Sequence, residues 1–284
     1  MDILFNNQIV SRDSVSIDIE DRGYQFGDGI YEVVSIYNGE LFEWEAHLER
    51  FVRSAKEIAL TLPEQFDLLK ENIMRLIEDN HIEEGYAYFQ LTRGTALRMH
   101  AFPEPQAEPV LTGMVKNATS PPITAVKAIT TEDIRWLRVD IKSLNLLPNC
   151  MAKQKAVEAG AQEAIFIRDH YVTEASSSNV FGVKNGVLYT HPINNLILNG
   201  ITRQVVLRLA GNLHYKVVEE AFTRDELMDM DEVFITNTGL NVCPVIEIDG
   251  MLIGEGVCGP ITSSLMSAFG ELIQRNGKEK VYTE

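Results

Sequence analysis

The chain has 284 residues, 45% hydrophobic and 23% charged, which is the composition of a folded globular protein rather than of a disordered or fibrous one. Its 41 acidic against 25 basic side chains give a net charge of −16, which argues against nucleic-acid binding and against docking on anionic membranes. No apolar run approaches the roughly 20 residues of a membrane span, and MDILFNNQIV lacks a basic-then-apolar leader, so a cytoplasmic location is expected. Cys150, Cys243 and Cys258 are odd in number with no C-x-x-C pair, and the histidines form no H-x-H or H-x-x-x-H pair. Neither a disulfide framework nor a metal centre is expected.

At roughly 150 residues per domain the length predicts two domains or one large one. ILFNNQIV reads as short strands about an Asn-Asn turn, and GIYEVVSIY-NG-ELFEW as a hairpin closed by Asn38-Gly39. Leu48, Phe51, Val52, Ala55, Ile58 and Ala59 recur at helical spacing, as do Leu68, Leu69, Ile73, Leu76 and Ile77. YAYFQLTRG and PVLTGMVK predict two more strands. KNATSPPIT is polar and broken by two prolines, so residues 117–124 are the expected linker between an N-terminal domain over 1–116 and a C-terminal one over 125–284.

Beyond it come strand VKAIT and a predicted strand through WLRVDIKSLNLL, leading into a helix near MAKQKAVEAGAQ. AIFI, YVTEA and NVFGV-KNG-VLYT read as strands, the last two joined at Asn185-Gly186. A helix is expected from about Ile201, and Thr223 with Glu226 makes a capping-box pattern for another. DEVFITNT, the hairpin PVIEI-DG-MLIG and a helix near ITSSLMSAFGELI complete the chain. Interleaved helices and strands that meet at tight turns predict an α+β protein with mixed sheets.

No nucleotide-binding loop, zinc-protease helix or nucleophile elbow is present, and four features remain. Lys142 lies among Ile141, Leu144, Leu146 and Leu147, where desolvation would free its amine as a nucleophile; a snorkelling lysine is the alternative. LNGITRQVV puts Gly200 before a helix whose free N–H groups, with the Thr202 hydroxyl, could bind phosphate; a plain helix start reads equally well. In VTEASSSN, Glu174 could anchor a protonated ring nitrogen, and a solvated serine-rich turn is the alternative. Arg98 and His100, two apart in TRGTALRMHAFP, could grip a carboxylate or simply balance an acidic surface. Together the four make the parts list of a pyridoxal phosphate enzyme acting on amino acids.

The blocks EDRGYQFGDGIYEVV, TRGTALRMHAFP, DIRWLRVDIKSLNLL, VTEASSSNVFGV, LYTHP and LNGITR occur in one order from about Met1 to beyond Ile253. They resemble the D-amino acid aminotransferases, members of the fold-type IV pyridoxal phosphate enzymes. The resemblance implies a smaller N-terminal α/β domain and a larger C-terminal mixed-sheet domain that binds pyridoxal 5'-phosphate. It implies that Lys142 holds the cofactor and shuttles the α-proton, and that Glu174 bonds the pyridine nitrogen. Arg50, Ile201, Thr202 and Thr238 would hold the phosphate, Leu198 would pack beneath the ring and Ser177 would lie near the lysine. Tyr31 would join Arg98 and His100 on the substrate carboxylate, the last two reaching in from the partner of a homodimer.

The resemblance further implies ping-pong transfer of an amino group from a D-amino acid such as D-alanine to a 2-oxo acid such as 2-oxoglutarate, giving pyruvate and D-glutamate. Because lysine attacks from one face, exchanging carboxylate and side chain inverts the enantiomer, so the R-M-H loop selects the hand of the substrate. Branched-chain L-amino acid aminotransferase and aminodeoxychorismate lyase are the related alternatives, and a non-catalytic relative is a third. Asn237 and Gly239 depart from the family's hydroxyl residues, and Pro148-Asn149 from its small ones.

Overall fold

The computed structural model of the chain describes residues 2–118 and 125–276. They divide into two compact units: Met1–Ser120 with Ile141–Asn145 and Gln274–Glu284, and Pro121–Asp140 with Leu146–Ile273. Of the linker expected over 117–124, residues 119–124 lie outside the described residues.

The first unit contains β1 (Asp2–Phe5), β2 (Gln8–Ser11), α1 (Arg22–Phe26), β3 (Gly29–Tyr37) and β4 (Glu40–Leu41). It continues with α2 (Trp44–Glu57), α3 (Leu69–Asp79), β5 (Gly85–Thr92) and β6 (Val110–Asn117). The strands form one antiparallel sheet in the order β2-β1-β6-β5-β3-β4. Its tight turns sit where the asparagines predicted them, with positive φ at Asn6, Asn7, Asn38 and Gly39, a conformation asparagine and glycine tolerate. Trp44, Phe51 and Ala55 of α2 and Leu69, Ile73, Leu76 and Ile77 of α3 bury their helical stripes with Ile30, Val34, Ile36 and Phe89 of the sheet.

Sequence periodicity gave no sign of the one-and-a-half-turn α1. Asp21 caps it, accepting from Gly23 N at 2.8 Å, and Gly27 ends it in the left-handed region.

The second unit contains β7 (Val126–Glu132), α4 (Leu147–Glu158), β8 (Glu163–Arg168), β9 (Tyr171–Ala175), β10 (Asn179–Lys184) and β11 (Val187–Thr190). α5 (Ile201–Asn212), β12 (Val217–Glu219), α6 (Arg224–Met228), β13 (Glu232–Asn237), β14 (Asn241–Ile248), β15 (Met251–Leu252) and α7 (Pro260–Arg275) follow. The sheet runs β12-β11-β10-β13-β14-β7-β8-β9, with β15 on β14. It is parallel at β11/β12, β14/β7 and β7/β8 and antiparallel elsewhere, so the fold is α+β with a mixed sheet. α6 begins with the expected capping box of Thr223 and Glu226. Pro148 falls in the first turn of α4, where it costs no helical hydrogen bond. No helix among the described residues is long and apolar enough to cross a membrane.

The strand expected through WLRVDIKSLNLL does not form. Between β7 and α4 the chain is irregular, apart from one isolated bridge from Ser143 to Ile30. Two local causes are visible. Arg135 folds back on Asp133 two residues away, and residues 141–145 give their backbone groups to the start of β3. Tyr31 N donates to Lys142 O at 3.1 Å and Leu144 N to Gly29 O at 3.0 Å. Ile141 enters the core of the first unit, which is why this segment groups with it.

Candidate active site

Lys142 belongs to the first unit and is half-buried. Its Nζ stands 4.3 Å from the centroid of the Tyr31 ring, and its backbone N–H donates to Ser54 Oγ at 3.3 Å. Tyr31 in turn stacks on Tyr88 at 5.8 Å. Burial, with the neighbouring Tyr31 adding to it, pushes the Tyr88 hydroxyl up to about 12.

The next residue of β3 points the other way. Ile30, Glu32, Val34 and Ile36 form the buried phase of the strand, so a carboxylate interrupts an otherwise apolar face. α2 supplies its partners one turn apart. His47 Nδ1 lies 2.7 Å from Glu32 Oε2, and Arg50 donates through Nε to Oε1 at 2.7 Å and through Nη2 to Oε2 at 2.9 Å. Burial works to raise Glu32, but the charge of Arg50 and the hydrogen bonds from His47 and Arg50 bring it to about 2. Burial dominates at His47 and lowers it. Arg50 is therefore held rigidly from behind. The buried acidic position in β3 was a legible signal that the sequence reading passed over.

Glu174, on β9 in the second unit, is 6% exposed. Arg135 forms an ion pair with its Oε1, while Asn179 Nδ2 at 3.1 Å and Leu198 N at 3.0 Å donate to Oε2. Burial raises Glu174 above the usual carboxylate range, opposed by Arg135 and by the Leu198 N–H. Asp133 holds Arg135 through two 2.8 Å bonds. Burial would raise Asp133, but Arg135 brings it to about 2.

Asn179 Nδ2 also donates to Leu198 O at 2.9 Å, tying the carboxylate to the loop that opens α5. There Gly200 serves as N-cap with no side-chain cap, and Ile201 and Thr202 begin the helix, both buried. A Cβ at Gly200 would stand 2.1 Å from Asn179 Oδ1, so only glycine lets the helix start this close. The second unit thus offers a buried carboxylate joined through Asn179 to an uncapped helix N-terminus. A ligand with a basic ring nitrogen and a phosphate has the two functions this arrangement serves, so the residues fit pyridoxal phosphate.

Ser176, Ser177 and Ser178 all donate to the buried Glu163, Ser177 at 3.2 Å and Ser178 at 3.0 Å. The serine turn is therefore anchored from beneath, and Ser177 itself is exposed. Asn237, the departure near Thr238, accepts from Gly239 N at 2.8 Å and Leu240 N at 2.7 Å and shapes the turn that carries Thr238.

Arg98 and His100 are exposed on a loop of the first unit, and both meet one ring. Arg98 Cζ is 5.0 Å from the centroid of Phe26, and the His100 ring lies edge-on to it at 5.9 Å. Among the described residues no group of three or more His, Cys, Asp and Glu could hold a metal. Asp133, Arg135, Glu163, Glu32 and His47 support the expected site residues; Asp133, Arg135 and Glu32 lie inside the resemblance blocks, but none of the five was singled out from the sequence.

A family model described as amino-transferase class IV matches residues 29–248, from the first residue of β3 to the last of β14. The D-alanine aminotransferase of Staphylococcus aureus (strain N315) is 48% identical over 275 residues, covering 96% of this chain and 98% of that one. The D-alanine aminotransferase of Bacillus licheniformis is 48% identical over 271 residues, covering 94% and 95%. Among solved structures, the branched-chain amino acid aminotransferase of Escherichia coli matches with a TM-score of 0.89 at 25% identity, over 96% of this chain and 94% of that one. A putative 4-amino-4-deoxychorismate lyase of Legionella pneumophila matches with a TM-score of 0.81 at 26% identity, over 92% and 96%. The chain belongs to the class IV aminotransferases, the pyridoxal phosphate-dependent enzymes of fold type IV.

Proposed function

We propose that the enzyme moves the amino group of a D-amino acid, such as D-alanine, to a 2-oxo acid, such as 2-oxoglutarate, yielding pyruvate and D-glutamate. The observation that carries this reading is the pair Arg98 and His100 sharing the ring of Phe26, two donors side by side for one carboxylate. The D-alanine aminotransferases at 48% identity support it. The resemblance to branched-chain enzymes is of fold, at 25–28% identity.

In this reading pyridoxal 5'-phosphate supplies an electron-withdrawing ring that weakens the bonds at the substrate's α-carbon. Lys142 is the residue that holds it covalently and then carries the α-proton on its Nζ. Glu174 accepts from the ring nitrogen, and its anionic form is favoured by Arg135 and the Leu198 N–H. Arg50, the N–H groups of Ile201 and Thr202, the Thr202 hydroxyl and Thr238 bind the phosphate. Leu198 supports the ring, and Ser177 is a further residue of the cofactor site. Tyr31 joins Arg98 and His100 on the α-carboxylate, which fixes the hand of the substrate. In this reading the cofactor-binding domain is the larger one over 125–284, with 1–116 as the smaller one.

The working form in this reading is a homodimer in which Arg98 and His100 of one copy complete the site of the other. In support, Ile19, Tyr24, Leu97, Met99 and Phe102 of the first unit are 56–78% exposed, an apolar set that water disfavours and a second copy would cover. Its three cysteines are free, in keeping with a cytoplasmic enzyme.

The test is a half-reaction. D-alanine or L-alanine is added to the yellow protein without acceptor, and pyruvate is counted per site. One equivalent with D-alanine alone is expected. Pyruvate from L-alanine alone would overturn the stereochemistry in favour of the branched-chain alternative. Repeated turnover of aminodeoxychorismate without an acceptor would favour the lyase.

A further inference from the structure

The loop bearing Arg98 and His100 does not hold itself. Residues 93–102 contain no helix and one isolated bridge, from Thr95 to Asp21, and their side chains are largely exposed. What fixes the loop lies beneath it. Arg22, 3% exposed on α1, donates through Nη1 to the carbonyl of Met99 at 2.7 Å, and Met99 is the residue between the two proposed carboxylate ligands. The same nitrogen lies 3.4 Å from the carbonyl of Ala101.

Arg22 is itself locked. Its Nε donates to Asp28 Oδ2 at 2.8 Å, and Arg93, also buried, donates to both Asp28 oxygens at 3.1 and 2.9 Å. The other arms of Arg93 reach Ala59 O at 2.8 Å and Ile58 O at 2.7 Å. One carboxylate therefore orients two guanidiniums, and Arg93 also lies 3.7 Å from the ring centroid of Phe102 at the far end of the loop.

Phe26, one helical turn after Arg22, supplies the surface. Arg22 Cζ is 4.8 Å from its centroid, Arg98 Cζ is 5.0 Å from it, and His100 is edge-on at 5.9 Å. A single ring thus sets the spacing of the two side chains, while Arg22 fixes the backbone between them. Gly94 lets the loop leave β5, since its φ is +88° and a Cβ would stand 1.8 Å from Glu108 O.

We infer that Arg22 and Phe26 of α1 are positioning residues of the substrate-carboxylate grip, setting where Arg98 and His100 stand and so how strongly the α-carboxylate of either substrate is bound. The inference rests on the proposed role of Arg98 and His100. Bidentate recognition tolerates only small displacements, so a loose loop costs carboxylate affinity while leaving cofactor binding and proton transfer alone.

The test uses the loaded enzyme and D-lactate, a carboxylate with D-alanine's shape but no amine to react. D-lactate affinity is measured by calorimetry for the wild type, Arg98→Ala, Arg22→Lys, Phe26→Leu and Phe26→Tyr, with pyridoxal phosphate affinity and the KM and kcat for D-alanine beside it. Phe26→Leu and Arg22→Lys should each weaken D-lactate and raise KM about tenfold, with kcat and cofactor affinity within about threefold, and Phe26→Tyr should restore binding. If Arg98→Ala weakens D-lactate but Phe26→Leu and Arg22→Lys do not, the role of α1 is overturned and the grip stands. If Arg98→Ala leaves D-lactate unchanged, the grip and the inference fall together. Cofactor affinity falling in step with D-lactate affinity would make α1 mere scaffold and would also overturn the inference. Should Arg22→Lys fail to fold, Phe26→Leu against Phe26→Tyr decides alone.

Discussion

The guanidinium of Arg135 pairs with the buried carboxylate of Glu174, 39 residues away, and Asp133 holds that guanidinium in place. Without the guanidinium Glu174 would keep only the neutral donors Asn179 Nδ2 and Leu198 N–H, and burial favours its neutral form. A neutral acid cannot anchor a protonated ring nitrogen. Arg135 opposes the effect of burial and so favours the anion its proposed task needs.

Arg135→Met should weaken pyridoxal phosphate binding in a pH-dependent way. Loss of the guanidinium raises Glu174 further, so more of it is protonated at neutral pH, and raising the pH restores the anion. A loss of about tenfold or more in cofactor affinity is expected at pH 7, shrinking at pH 9. An equal loss at both values would remove this explanation. Breaking a buried pair should also cost about 3–5 kcal/mol of stability.

Glu32 makes the first unit sensitive to acid. Its value is lowered from the ordinary 4.5 to about 2, so its contribution is complete above 4.5 and is lost as the pH falls towards 2. The shift corresponds to about 3 kcal/mol. Neutral His47 acts in the same sense, since its lowered value means that protonation on acidification opposes the fold. Glu32→Gln should be less stable at pH 7 by about that amount and flatter between pH 4.5 and 2 in denaturant titrations. An unchanged acid limb would show that Glu32 has another role.

Lys142 should be the point of covalent attachment. Borohydride reduction of the yellow protein followed by digestion should leave the cofactor on the peptide containing Lys142. In Lys142→Ala no peptide should be labelled, and turnover should fall by about 10⁴-fold or more, the upper range for a lost acid–base group. Label on another lysine would refute the assignment.

Gly200→Ala tests the start of α5. The backbone there has an ordinary φ, so the penalty comes from space: the new Cβ would meet Asn179 Oδ1 at 2.1 Å. Asn179 must move, and with it the bonds to Glu174 and Leu198. Thermal melts with and without pyridoxal phosphate should show about 1–3 kcal/mol lost from the apoenzyme and a reduced stabilisation by the cofactor. An undiminished cofactor effect would mean that this helix end does not meet the ligand.

Most local structure was legible in the sequence because it depends on neighbours in the chain. The Asn-Gly turns need only a residue that tolerates positive φ, the stripes of α2 and α3 only a 3.6-residue period, and the box at Thr223 and Glu226 only their spacing. The motif blocks likewise singled out Lys142, Glu174, Arg98 and His100 by residue type and order. The strand expected over 136–147, which does not form, marks the limit: its apolar pattern is outweighed by the pull of β3 on residues 141–145, and just before it Arg135 folds back on Asp133.

Tertiary structure alone decided which charges meet. Arg135 with Glu174, Arg50 with Glu32, and Arg22 with the carbonyl of Met99, 77 residues away, are pairings no period or spacing encodes. A buried charge must find a partner wherever folding brings one, because leaving it alone costs more than the fold's whole margin of stability. The sequence by itself determined the family, most of the elements and the candidate reacting groups. Which buried partners orient those groups was settled only when distant segments were brought together.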